Sequence, residues 1–493
     1  MRTILVLMDT LKRDMLTVYN KDTFVKSPNI TKFAEEATVF DNHFIGSAPC
    51  MPARRDILCG RLNFLERSWG PIEPFDITLP KVLKDHGVYT HITTDHCHYF
   101  RTGGEGYVQS FNTWDYHRGQ EGDPWISRID DPSLPNDYYG RVRRQYQLNR
   151  TMWPNEEQYP SPKTFASACE WLENNKDAND FFLMVEAFDP HEPFDVCDKY
   201  MEMYGNPQLD KEYFEIPNYG HTDVPQTAVD YIQKRYAALL SMSDHWFGKL
   251  IAKIKALNIY DDTLIIMTTD HGYFLGEHDY LGKNIMHLYN ELAHLPLIIH
   301  FPKNQMVGQR VDKITQNIDL MPTILAYNEI AIPASVKGES LKKIVDGQNY
   351  DKAYALYGYH GMAMNITDGR YTLFKAPNQD NKPCFEYTCI PTTIRKFLGT
   401  GIEETIEMGR FIARTNYPVY KIPVLAPSII DNVKGGLKEV SEDKLFDLTN
   451  DYAQVNNIYD IDQANTQRLK ALMVEALAKH EAPSEQLDRL NLR

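Results

Sequence analysis

Arg2-Thr3-Ile4-Leu5-Val6-Leu7-Met8-Asp9 is a continuous apolar run closed by an acid. A strand buried on both faces of a parallel sheet needs that pattern, because neither face can alternate with polar side chains. Three further runs repeat it: Val88 to Thr93, Phe181 to Phe188 and Thr263 to Met267. Leu295 to His300 reads as a fifth strand. Helical stretches fall between these runs. One opens at Ser27-Pro28-Asn29 and runs to Ala37, with Ser27 or Asn29 as its cap; others cover Leu79 to His86, Thr164 to Asn175 and Pro225 to Leu257. Short apolar strands alternating with helices specify an α/β fold built on a mainly parallel sheet.

The character changes around residues 340–355. Ala353 to Tyr359, Met362 to Thr367 and Tyr371 to Lys375 read as strands of a smaller antiparallel sheet, turned at Asp368-Gly369, and Thr466 to Lys479 as a final amphipathic helix. The expected division is a catalytic α/β domain over residues 1–345 and an antiparallel subdomain over 346–493. Residues 99–160 are rich in Tyr, Trp, Arg, Gly and Asp with little periodicity, and are expected to form an irregular insertion beside the active site.

A length of 493 residues fits one large domain with a smaller one, and 43% apolar with 12% aromatic residues fits a globular chain. A net charge of −15 argues against a nucleic-acid surface, so an anionic ligand needs a local basic site. The apolar run from Ile4 stops at Asp9, too short for a signal-peptide core, and no stretch reaches transmembrane length. The seven cysteines are odd in number and scattered. The expectation is reduced thiols and a cytoplasmic location, with no membrane partner.

The apolar runs end on polar clusters: Asp9; Asp95-His96-Cys97-His98; Asp189-Pro190-His191; and Asp270-His271. An Asp after a strand is ordinarily a turn or cap residue, and a lone His ordinarily a satisfied structural side chain. Four such ends in one chain point instead to ligands converging beyond the strand carboxyl ends. Asp9, Asp270 and His271 can form a hard-cation site. Cys50 belongs to Ser47-Ala48-Pro49-Cys50-Met51-Pro52-Ala53-Arg54, a turn-prone lead-in to a short helix that Gly60 ends. At a helix N-terminus, with Arg54 one turn on, Cys50 is placed where an anion or thiolate is favoured.

Cys50-x-Pro52-x-Arg54, followed by Leu58 and Gly60-Arg61, resembles the C-x-P-x-R…L-x-G-R signature of type I, formylglycine-dependent sulfatases of the alkaline phosphatase superfamily. The related phosphonate monoester hydrolases are also similar. Ser27-Pro28-Asn29, the approach Asp261 to Ile266, Lys283 at its spacing from Asp270-His271-Gly272, and Leu445 to Asp451 with Asn456-Asn457 extend the resemblance over nearly the whole chain. It implies an alkaline-phosphatase-like sheet flanked by helices, with a small C-terminal antiparallel α+β subdomain. It implies that Cys50 is oxidised to formylglycine by a formylglycine-generating or an anaerobic sulfatase-maturing enzyme, and that residue 50 joins Asp9, Asp270 and His271 as a metal ligand. Ca²⁺ is the expected ion, with Mn²⁺ or Mg²⁺ as alternatives. Arg54 is then expected to hold the aldehyde hydrate, Lys283 and His191 to act at the leaving alcohol, and His98 to take a proton as sulfate is expelled.

The chain departs from the family pattern at three places. Thr10 follows Asp9 where many members have a second Asp, with Asp14 as a possible replacement; His96 stands where many have Lys; and His271 where many have Asn. Within and beside the 99–160 insertion, His96, Arg101, His117 and Arg118 are expected to bind substrate, with Tyr99, Trp125 and Tyr138 lining the mouth. The expected activity is hydrolysis of a small-molecule sulfate ester, of a carbohydrate or an aryl alcohol. The alternatives are a phosphonate monoesterase or phosphodiesterase using the same site, and a silent binding protein on the same scaffold.

Overall fold

The computed structural model describes residues 1–398, 401, 403–424 and 442–493. Eight strands form its main sheet: β1 (Arg2–Met8), β2 (Thr38–Phe44), β3 (Tyr89–Thr94), β4 (Thr113–Tyr116), β5 (Phe181–Ala187), β6 (Thr263–Thr268), β7 (His294–His300) and β8 (Arg310–Gln316). Their order across the sheet is β8-β2-β7-β6-β1-β5-β3-β4. β1 lies inside the sheet, parallel to β6 on one side and β5 on the other. β3 and β4 extend the parallel set beyond β5.

β7 breaks that set. It is antiparallel to both β6 and β2, and β8 pairs parallel with β2. The chain between β6 and β7 carries a short hairpin, Phe274–Leu275 against Tyr280–Gly282, and one four-residue helix rather than a crossover helix. Without a crossover the chain returns from the end it left, and the pairing must be antiparallel.

Seven helices matter for the site: α1 (Pro28–Glu35), α2 (Cys50–Cys59), α3 (Leu79–Asp85), α4 (Pro160–Asn174), α5 (Gln226–Ala256), α6 (Leu320–Tyr327) and α7 (Gln463–Lys479). The period of two along β1 sorts its side chains between two cores. Ile4, Val6 and Met8 join α1, α4 and α5; Leu5 and Leu7 join α2, α3 and α6. Both faces are therefore dry, as the continuous apolar run predicts, and each such side chain contributes about 1.5–3 kcal/mol. α4 starts at Pro160, ahead of Thr164, because proline suits a first helical turn. Ser27 occupies the N-cap position of α1 but makes no capping bond. The Asp244 carboxylate on α5 accepts the N–H groups of Asn29 at 3.1 Å and Ile30 at 2.7 Å instead.

β9 (Ala355–Tyr359), β10 (Met364–Thr367), β11 (Tyr371–Lys375) and β12 (Lys444–Asp447) form the antiparallel C-terminal sheet, covered by Leu469, Met473 and Leu477 of α7. Its fifth member is Ser47–Ala48, which runs parallel to β9 with Ser47 opposite Gly358 and Ala48 opposite Tyr359. The stretch that reads as a turn is thus a sheet segment, and the small sheet delivers the chain to Cys50. The 99–160 region is less irregular than its composition suggests: it holds β4 and the helices Glu105–Gln109 and Arg144–Asn149.

Candidate active site

The carboxyl ends of β1, β3, β5 and β6 lie side by side, and each sends polar residues into one place: Asp9 from β1, His96 and His98 from β3, His191 from β5, and Asp270-His271 from β6. Cys50 enters as the first residue of α2, which closes at Gly60 in the left-handed region, φ 64°. Asp56 fixes this entrance. Its carboxylate accepts Ser47 N–H at 2.6 Å and Asn63 N–H at 2.9 Å, joining the two ends of the helix.

Asp9, Cys50, Asp270 and His271 are buried, and each offers a donor atom within 4.8 Å of the others. His271 Nδ1 donates to the Gly272 carbonyl at 2.8 Å, which leaves the Nε2 lone pair facing Cys50 Sγ at 3.0 Å. Gly272 is required here because a Cβ would come within 1.9 Å of the Glu291 carbonyl. Burial pushes the His271 imidazole down, so it stays neutral. Burial pushes the Asp9 carboxyl up, but the fixed cations Arg54 and Lys283 outweigh it and hold the group well below the usual carboxylate range. Burial and Asp9 push Asp270 up as well, and Arg54 and Lys283 help to hold it below its ordinary value. Two ionised carboxylates and a neutral imidazole, dry and convergent, fit a divalent cation.

Arg54 is wholly buried beneath these groups. Its guanidinium reaches Asp9 at 2.7 Å, and Asp270 and Glu186 at 2.5 Å, and touches residue 50 only at its carbonyl oxygen, at 3.1 Å. The arginine charge is therefore committed to carboxylates. Burial raises the Cys50 thiol well above its ordinary range; Lys283 opposes this, while Asp9 and Asp270 add to it. The helix start does not yield a thiolate, contrary to what position alone predicts.

Lys283 follows the Tyr280–Gly282 strand. Its Nζ lies 3.7 Å from Cys50 Sγ, 3.2 Å from Thr10 Oγ1 and 3.9 Å from Glu192 Oε2. Burial would discharge it, but the acids Glu192, Asp9 and Asp270 keep it protonated. His191 bonds through Nδ1 to the Glu192 carbonyl and packs at a tilt against the Phe188 ring. His96 Nε2 lies 3.7 Å from Asp9, and the His96 and His98 rings are 5.0 Å apart. Burial pushes both imidazoles well down, aided at His96 by Arg54 and at His98 by Arg395, Arg101 and Arg143. Neither supplies the fixed positive charge of a lysine.

The remaining expected substrate residues lie further out. Arg101 approaches Cys97 Sγ at 3.6 Å and the Gly122 carbonyl at 3.4 Å. His117 lies 3.4 Å from Thr93 Oγ1, and Arg118 is held on Asp123 at 2.7 Å. Among the described residues neither is hydrogen-bonded or ion-paired to the Cys50 cluster. Tyr99 is core, packed on His96 and Tyr107. Asp14 pairs with Lys12 instead of replacing the missing acid. Thr10 lies in the site: its hydroxyl donates to Asp9 at 2.6 Å, its N–H to Asp270 at 3.1 Å, and its φ is 63°. A β-branched residue in the left-handed region is strained, and these bonds hold it there.

Sequence reasoning missed Glu186 and Glu192. Glu186 had a signal: it is an acid inside an apolar strand, and a buried charge requires a partner. Glu192 directly follows Asp189-Pro190-His191 and carries no pattern of its own.

The sulfatase family model matches residues 2–330. The chain is 23% identical over 401 residues to an arylsulfatase of Clostridium perfringens, covering 72% of this chain and 81% of that one. It is 26% identical to the multifunctional alkaline phosphatase superfamily protein PehA of Trinickia caryophylli, covering 69% and 76%. Its fold is similar to that of the phosphonate monoester hydrolase of Agrobacterium radiobacter, with TM-score 0.68 and 16% identity over 97% of this chain and 96% of that one. It is also similar to a structure in complex with its substrate D-glucosamine-2-N,6-O-disulfate, with TM-score 0.69 and 17% identity over 98% and 99%. With the family model spanning the sheet and every strand end that meets Cys50, the chain belongs to the sulfatase family of the alkaline phosphatase superfamily.

Proposed function

We propose that the chain hydrolyses the sulfate ester of a small sulfated carbohydrate or aryl alcohol at residue 50, after Cys50 is oxidised to formylglycine by a maturing enzyme. The observation that carries this is the position of Cys50 Sγ, 3.0 Å from His271 Nε2 and 3.7 Å from Lys283 Nζ, among the acids Asp9 and Asp270. A buried thiol held protonated is a poor nucleophile, which fits a residue used only after oxidation. Formylglycine, as its hydrate, supplies two hydroxyls on one carbon, one to displace the alcohol and one to release sulfate.

Asp9, Asp270, His271 and residue 50 would hold a divalent cation, calcium first. When bound, the cation supplies polarisation of the sulfate oxygens and a lowered hydroxyl pKa. Lys283 places its ammonium where negative charge develops on sulfate and the leaving oxygen. His191, fixed through Nδ1, delivers a proton to the leaving alcohol. His98, kept neutral, accepts one as sulfate leaves. Arg54 and Glu186 hold the two metal-binding carboxylates in place.

A second reading is phosphonate monoester or phosphodiester hydrolysis at the same site. His271 among the donors, neutral His96 in place of a lysine, and the phosphonate monoester hydrolase fold neighbour favour it. Side-by-side turnover of an aryl sulfate, an aryl phosphodiester and a phosphonate monoester ranks the two. We place the enzyme in the cytoplasm, a reducing compartment that suits its seven free thiols, and among the described residues no helix is long and apolar enough to cross a membrane. The test is Cys50→Ala, expressed with the maturing enzyme. It should stay folded and lose turnover by several orders of magnitude; near-normal activity overturns the assignment.

A further inference from the structure

Three arginines, Arg143, Arg395 and Arg101, gather around the Glu121 carboxylate beside His98. Arg143 pairs with Glu121 at 3.2 Å, and Glu121 lies 3.8 Å from His98 Nε2. Arg143 and Arg101 both approach Gly122: a Cβ there would meet their guanidinium nitrogens at 3.7 and 3.8 Å. Arg395 arrives from the C-terminal part of the chain and lies over the Trp69 ring at 4.7 Å, and Trp69 in turn packs on His98. The two segments that carry Arg101 and Arg395 are joined, Gly103 N–H to the Ile394 carbonyl at 3.4 Å.

The group is unbalanced. Three guanidiniums face Glu121, Arg143 also feels Glu192, and among the described residues Arg101 and Arg395 form no ion pair with an acid. Glu121 itself is buried with Oε2 unbonded, and both ring nitrogens of His98 lack a hydrogen-bond partner. Cys97, His98 and Glu121 bring donor atoms within 4.8 Å of one another, a set that on donor type alone suits a cation. Their surroundings exclude one: Arg101 donates to the Cys97 sulfur and Arg143 occupies the Glu121 carboxylate, so a cation would sit among three positive charges. An anion meets the reverse situation, with planar donors matched to an oxyanion. The place is also right. His98 is the neighbour of His96, and His96 lies 3.7 Å from Asp9 in the metal-binding set.

We infer that Arg101, Arg143 and Arg395 form a subsite for a second anionic group, a carboxylate or a second sulfate, on the alcohol part of the substrate. This rests on the sulfate-ester reading above. The preferred substrate then carries two negative centres: the ester sulfate at residue 50 and a second anion held beyond His98. It also explains how a chain of net charge −15 attracts a doubly anionic ligand, by a local basic patch against the overall field.

The test uses the matured full-length enzyme and three chromogenic esters: 4-nitrophenyl sulfate, its ring-carboxylated analogue and its ring-sulfonated analogue. The second and third arms separate a carboxylate from a sulfate-like anion. The wild type should favour at least one of the charged esters in kcat/KM, mainly through KM, by roughly tenfold, the size of one charge-assisted hydrogen bond. Arg395→Ala should abolish most of that ratio, Arg395→Lys should keep part of it, and Arg101→Ala should lower it in the same direction. Thermal melting identifies any variant that fails to fold, and the other arginine then carries the comparison. Turnover of all three esters with no preference, or a preference unmoved by both alanine variants, overturns the subsite and leaves the sulfatase reading intact. No turnover of any ester by protein with a verified aldehyde at residue 50 overturns both.

Discussion

Glu186 lies in a strand whose other residues are apolar, and its carboxylate ends 2.5 Å from the Arg54 Nε. The ion pair is fully desolvated, so removing Glu186 strips the buried guanidinium of one of its three carboxylates and leaves a gap in a dry core. Glu186→Ala should lower stability by about 3 kcal/mol, read by urea unfolding, and weaken metal retention, because Arg54 then pulls harder on Asp9 and Asp270. A variant as stable as wild type would remove Glu186 from this role. Lys283 is the complementary case, a charge aimed at the reacting group. Lys283→Ala should cut kcat by roughly 10²–10³ with little change in the melting temperature. A KM effect alone would demote it to a binding residue. At this scale the sequence was most informative where chemistry follows a strand end, as at Asp9, Asp270 and His271. It was silent on Arg54's three carboxylate partners, because which acids meet one arginine is decided by strand order. The same holds for Thr10, whose left-handed φ of 63° depends on bonds to Asp9 and Asp270 from two different strands.

At the scale of elements, period and length identified the parallel strands and the long helix α5, since a doubly buried strand and an amphipathic helix each leave a clear pattern. One strand direction was left open and one segment was misread, both for lack of tertiary information. β7 was indistinguishable from its parallel neighbours because a buried strand reads the same in either direction; only the missing crossover helix sets its sense. Ser47–Ala48 read as a turn because two residues carry no periodicity, and its pairing with β9 joins positions some three hundred residues apart. The start of α1 makes a direct test. Asp244→Ala should cost about 1–2 kcal/mol by removing the carboxylate that accepts the Asn29 and Ile30 N–H groups, whereas Ser27→Ala should change stability by a few tenths. Equal losses for the two would mean that Ser27 is the cap after all.

For the whole molecule, buried histidines link stability to pH. Burial pushes His43 down to about 3, against the bond that its Nε2 donates to Asn317, and His480 to about 3, helped by Lys352 and Lys479. The unfolded chain takes up these protons near 6.5 and the folded chain does not. The stability they confer is therefore complete above pH 6.5 and is lost as pH falls toward 3, by up to about 1.4 kcal/mol per pH unit for each histidine. His43→Gln should flatten the fall of melting temperature between pH 6.5 and pH 4 relative to wild type; an identical slope would contradict the linkage. The same scale explains why the small C-terminal sheet matters to catalysis. It pairs with Ser47–Ala48 and packs on the segment after α2, so it holds both sides of the helix that presents residue 50.

What residue 50 is in the active protein decides the chemistry of the site. Mass spectrometry of the peptide spanning Cys50, from enzyme matured in vivo and assayed in the same preparation, answers that. The aldehyde mass at residue 50, in a fraction that rises in step with sulfate-ester turnover, is the predicted result. Full turnover from a preparation whose Cys50 is entirely an unmodified thiol would contradict it.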